Sequence, residues 1–147
     1  MSFISFPKNM KRYRLFDHTA DLGIVAYGRD EKELFANIAY ALFDNITDLG
    51  VVREDEAVKI EVGGMGWEEL LLNWLRELLY IQQVKDYLFK RFVLKELEEN
   101  RLIGDANGER FDPRRHRLKM EVKAVTYHQL QVKRGKDGWQ AQVIFDI

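Results

Sequence analysis

Acidic groups near both ends of this chain stand where they could share a cation. DHTADLG (17–23) places Asp17 and Asp21 four residues apart with His18 between them. That pattern offers hard oxygen ligands for a divalent cation, or an acid/base pair. The same residues equally suit a turn in which Asp and Thr side chains bond nearby backbone N–H groups. At the other end, WQAQVIFDI alternates as a strand, with Trp139, Ala141, Val143 and Phe145 on one face and Gln140, Gln142, Ile144 and Asp146 on the other. Asp146 is followed by Ile147 and its α-carboxylate; the plainer alternative is a solvated terminus. If this strand pairs antiparallel with Leu22–Gly28, Asp21 faces Asp146 and the chain end. Carboxylates that close repel unless something neutralises them.

A second grouping is cationic. Residues 110–123 carry Arg110, Arg114, Arg115, Arg117, Lys119 and Lys123 against Asp112 and Glu121. Such a stretch holds phosphate or an acidic partner, or is a solvated loop and edge strand whose charge blocks unwanted pairing. It lacks the interleaved aromatics of a single-strand binding platform. Tyr127 and His128 beside Lys123 invite a catalytic reading, but strand alternation separates odd from even positions onto two faces. The absence of cysteine excludes a thiolate metal centre, a disulfide scaffold and a Cys nucleophile, and three histidines (His18, His116 and His128) argue against a His-rich metal centre. GGMG (63–66) fits neither a P-loop nor a dinucleotide fingerprint and reads as a turn.

The elements that must position these groups follow from periodicity. Tyr13–Asp17 and Leu22–Gly28 read as short strands. Asp30 with Glu33 starts a helix in which Leu34, Phe35, Ile38, Ala39, Leu42, Phe43 and Ile46 form one apolar face. Val58, Ile60 and Val62 alternate as a strand. A second amphipathic helix follows, its stripe formed by Leu71, Trp74, Leu75, Leu78 and Leu79. Strands are then expected at Phe89–Leu97, Arg101–Asp105, Leu118–Thr126, Tyr127–Arg134 and Trp139–Ile147, with GKDG (135–138) as a hairpin turn. This is an α+β pattern: a mostly antiparallel or mixed β-sheet with two amphipathic helices packed on one face. At 147 residues, with no linker or repeat, the chain reads as a flexible basic arm over 1–12 and a single domain over 13–147. A formal net charge of −1 argues against nucleic-acid binding through the whole surface. No apolar run approaches the ~18 residues of a membrane span, and MSFISFPKNMKRYR does not read as a secretory signal, so a cytoplasmic location is expected.

DHTADLGI, WEELLLNWLRELLYI, the DPRRH–MEVKAVTYH stretch and the final VIFDI, taken together and in order, resemble the archease family. The resemblance implies a small non-enzymatic cofactor of the RtcB-type tRNA-splicing ligase, which joins RNA ends using GTP and a divalent metal. In that role the protein promotes guanylylation of the ligase and its multiple turnover, meeting tRNA or RNA only indirectly. It also implies a bound metal, calcium with magnesium or manganese as alternatives, held by Asp21, Asp146 and Ile147. Arg114, Arg115 and Lys123 are the expected partner-binding residues. Two other readings stay open: an RNA-binding, chaperone-like partner of a tRNA modification enzyme, and a stand-alone metal-dependent phosphoesterase using Asp21 and Asp146.

Overall fold

The computed structural model describes residues 12–17 and 20–147. The expected basic arm therefore lies outside the described residues except for Arg12, as do His18 and Thr19. The order is β1 (Tyr13–Phe16), β2 (Asp21–Gly28), α1 (Glu31–Ile46), a single 3-10 turn (Leu49–Val51), β3 (Glu56–Gly63), α2 (Trp67–Lys85), β4 (Tyr87–Glu98), β5 (Arg101–Arg110), β6 (Ala124–Gly135) and β7 (Gly138–Asp146). The α+β class read from the sequence holds. The strands divide into two sheets, β1-β2-β7-β6 and β3-β5-β4, with antiparallel neighbours throughout. Each helix touches both sheets: α1 packs mainly on β2 and β4, α2 mainly on β6 and β3.

The helices form for the reasons their residues suggest. The Asp30 carboxylate accepts the Glu33 N–H at 2.8 Å, and Glu33 accepts the Arg29 N–H at 3.0 Å. This is a capping box displaced by one residue on its return bond. Every expected apolar position of α1 is no more than 1% exposed, and so are Leu71, Trp74, Leu75 and Leu78 of α2. The Trp74 indole N–H donates to the Phe35 carbonyl at 3.0 Å, joining the helices inside one core that both sheets share. Near the N-terminal edge, the Tyr13 hydroxyl donates to Asp44 at 2.6 Å, tying β1 to α1. Burial, reinforced by the Asp44 carboxylate, pushes that phenol well above its usual range.

Two strand expectations change. Leu118–Thr126 is not a strand: Leu118 makes an isolated bridge to Thr47, and the ladder begins only at Ala124. Other partners take those backbone groups. The Lys119 N–H donates to the Ile46 carbonyl at 2.7 Å, and the Gln83 amide donates to the Val122 and Lys123 carbonyls at 2.7 and 3.1 Å. The expected break between Thr126 and Tyr127 is instead a bulge within β6. Its pairing with β7 jumps from Thr126–Ile144 to Gln131–Gln142, and Gln129 takes a positive φ of 54°. The residues 135–138 form the expected hairpin, with Gly135 opposite Gly138.

The third strand of the second sheet also runs further than its glycines suggest. β5 continues through Gly104 and Gly108 because β4 bulges opposite each of them, at Leu94/Glu96 and at Phe89/Arg91. A Cβ on Gly104 would lie 2.8 Å from the Val93 carbonyl oxygen, and one on Gly108 only 1.9 Å from that of Leu88. Small residues here admit backbone rather than weaken a strand. Gly108→Ala should therefore cost about 2 kcal/mol or more, read as a lowered urea midpoint at unchanged slope.

Candidate metal centre

β2 and β7 pair so that Leu22 faces Phe145, Ile24 faces Val143 and Ala26 faces Ala141, all buried in the core. Side chains alternate along a strand, so the intervening pairs share the other face. The last of these is Asp21 opposite Asp146. Directly opposed residues hold their Cβ atoms about 4.5–5.5 Å apart, which puts the two carboxylates within reach of a common cation. Asp21 is half-buried, Asp146 exposed, and Ile147 is 40% exposed just beyond the strand. Ala20, which leads into Asp21, adopts a left-handed φ of 60°, a conformation costing about 1–2 kcal/mol for a residue with a Cβ.

The neighbouring backbone is fixed. Asp146 is level with Ala124 of β6, and its carbonyl accepts the Lys123 N–H at 2.7 Å. The Thr126 hydroxyl donates to the Ile144 carbonyl at 2.9 Å. Gln83, through its two bonds to Val122 and Lys123, links this end of the sheet to α2. Nothing in the sequence singles out Gln83; a glutamine near a helix end carries no signal until its partner segment is placed.

The donors fit a hard divalent cation. Asp21 and Asp146 offer carboxylate oxygens, the donor type that calcium takes ~6–8 of. Among the described residues no three His, Cys, Asp or Glu side chains gather as a metal site.

The basic segment divides into residues with different tasks. Arg114 is 90% exposed at its side chain, with its Nε 3.4 Å from Asp112. The Arg114 N–H holds the Asp112 carboxyl below its ordinary range. Lys123 is exposed and adjoins Asp146 through its backbone. Arg115 is turned inward. Its guanidinium makes a two-pronged contact with Glu109, which is only 8% exposed and also accepts the Arg53 N–H at 2.7 Å. The buried His116 completes this cluster. Its Nδ1 accepts the Asp112 N–H at 2.8 Å, so its proton sits on Nε2, which donates to Glu109 at 2.9 Å. Burial raises the Glu109 carboxyl, but the Arg53 N–H, Arg115 and His116 outweigh it and bring it down to about 2. No local feature of the sequence separates Arg115 from Arg114; Arg115 is a structural ion-pair member here. Tyr127 and His128 lie on the exposed bulge of β6, with the Arg76 guanidinium 5.2 Å from the centre of the Tyr127 ring.

Charge reversal separates these roles. Arg114→Glu should change folding free energy by under about 1 kcal/mol, and Arg115→Glu should cost about 2–3 kcal/mol because it leaves Glu109 facing a like charge. Glu109 binds its proton more weakly folded than unfolded, so its contribution is present above pH 4.5 and is lost as pH falls towards 2. Glu109→Gln should flatten the acid limb of stability over that window, measured by denaturant melts at stepped pH.

Comparison with known proteins agrees with this architecture. Residues 13–147 match the model of the Archease protein family (MTH1598/TM1083). A protein archease of Methanosarcina acetivorans is 39% identical, covering 96% of this chain and 99% of its own. One from Pyrococcus abyssi is 42% identical, covering 94% and 100%. The solution structure of protein 1598 of Methanobacterium thermoautotrophicum superposes with a TM-score of 0.82 at 38% identity, covering 94% of this chain and all of that one. On these grounds, and with the α+β fold in hand, the chain belongs to the archease family.

Proposed function

We propose that this protein is a metal-binding, non-enzymatic accessory of an RtcB-type tRNA-splicing RNA ligase, acting in the cytoplasm to promote guanylylation and repeated turnover. The observation that carries the reading is the pairing of Asp21 with Asp146 at the end of β7, in a chain of this family. Asp21, Asp146 and the carboxyl oxygens of Ile147 hold the cation, calcium first and magnesium or manganese as alternatives. A cation held there supplies positive charge to phosphate oxygens. The protein's own part is positional: the Lys123 N–H fixes the Asp146 backbone, and Gln83 fixes Lys123. Among the described residues no helix is long and apolar enough to cross a membrane.

The test uses limiting ligase with GTP, a divalent metal and an RNA with joinable ends. Progress curves should plateau near one turnover without this protein and continue with it, while the protein alone, supplied with the same metal, nucleotide and RNA, leaves the RNA unchanged. Curves unaffected by its addition contradict the accessory role; cleavage by the protein alone supports the phosphoesterase instead.

The chain end supplies the sharper prediction. Extending the protein beyond Ile147 turns its carboxylate into a neutral amide, and Asp146→Ala removes a side-chain ligand. Saturating metal at 100 times its Kd should stabilise the unaltered protein by about 2.7 kcal/mol in calcium-dependent melts, and both variants should lose most of that gain while still folding. Equal stabilisation of the extended form would remove Ile147 from the ligand set.

A further inference from the structure

The residues 117–119 lie across the C-terminus of α1 in a fixed conformation. The Thr47 hydroxyl donates to the Arg117 carbonyl at 2.7 Å, the Lys119 N–H donates to the Ile46 carbonyl at 2.7 Å, and Thr47 and Leu118 form an antiparallel bridge. Thr47 itself is fully buried. With its backbone spent on these bonds, the segment turns Leu118 outward, 48% exposed. Val51, from the 3-10 turn, is 45% exposed. Both line one surface cavity of about 520 Å³ together with Asp48, Arg115, Arg117 and Lys119.

The charges around that cavity are unbalanced. Asp48 spends its carboxylate on the Gly50 N–H at 2.9 Å, and Arg115 is already bound to Glu109. Arg117 and Lys119 are exposed, and neither forms an ion pair with a carboxylate among the described residues. Two aliphatic side chains thus stand in the open, flanked by two uncommitted cations, on a backbone that needs no further ordering. Removing aliphatic surface from water favours association, and flanking charge gives orientation and on-rate. No aromatic side chain lines the cavity, so there is no platform on which a nucleobase would stack.

We propose that this surface docks an acidic segment of the partner protein, seating one aliphatic side chain between Val51 and Leu118 with carboxylates on Arg117 and Lys119. The proposal rests on the accessory-protein reading and names the chemistry of its partner. It also fits the position of the candidate cation. Lys119 and Lys123 are four residues apart, at most about 13–14 Å of chain, and Lys123 is bonded to Asp146. A segment docked here is held near the Asp21–Asp146 carboxylate pair without occupying it.

The experiment measures binding of the full chain to the ligase by calorimetry at low and high salt. Leu118→Ser and the double change Arg117→Glu/Lys119→Glu are compared with the unaltered protein, and circular dichroism melts check that each variant folds. Either variant should weaken binding at least tenfold at low salt, and the charge-reversed protein should also lose most of the salt dependence. Calcium-dependent stabilisation should be unchanged in both, since neither touches Asp21 or Asp146. If the unaltered protein binds the ligase and both variants bind equally well, the surface proposal falls and the accessory role stands. If the unaltered protein fails to bind, both fall. If the variants bind the ligase normally but lose salt-sensitive binding to a single-stranded RNA oligomer, the surface is a nucleic-acid site and the proposal is overturned.

Discussion

Strands β2 and β7 come from opposite ends of the chain, yet they lie side by side at the centre of the first sheet. Their register is set on the core side, where Ile24, Val143 and Phe145 are wholly buried and Leu22 nearly so. Sliding the pairing by one residue would exchange this set with Val25, Tyr27 and Ile144, buried on the other face, and break the packing of both. On the opposite face the same register brings Asp21 and Asp146 together, a like-charge cross-strand pair that costs only about 0.2–1 kcal/mol. Core packing outweighs that repulsion, so it imposes the carboxylate pair.

The basic segment works by a related logic. The last turn of α1 carries no basic residue of its own. Its carbonyl end meets Arg117, Leu118 and Lys119 from some 70 residues further on, which supply both the N–H partner for Ile46 and positive charge beside the negative end of the helix dipole. On one side the segment is anchored by Glu109, Arg115 and His116; on the other it reaches Lys123 and Asp146. A stretch that reads as a uniform cationic patch is an ordered strap with an inner ion pair, an exposed outer face and one end fastened to the Asp146 backbone.

What was legible in the residues was whatever local period or end-to-end arithmetic could express. The two helices, the 135–138 hairpin and the Asp21–Asp146 juxtaposition all follow from alternation, a helical repeat or a counted register. The failures have a common cause. At Leu118–Thr126 the apolar and charged residues alternate well enough for a strand, but the Ile46 carbonyl and the Gln83 amide capture the backbone first. In β5 the glycines lower strand propensity, and the bulges that require them belong to another strand. Arg115 differs from Arg114 only through Glu109, six residues earlier and on a different element. These contacts join separate elements, and no local pattern records them.

A divalent cation held between Asp21 and Asp146 would be located by paramagnetic broadening with manganese in amide NMR spectra, because the effect falls off steeply with distance. Substoichiometric manganese should broaden the amides of Asp21, Leu22, Lys123, Ala124, Phe145, Asp146 and Ile147 before all others, and excess calcium should restore them. Uniform broadening, or broadening centred on Asp112 and Glu109 at the other end of the basic strap, would contradict the account.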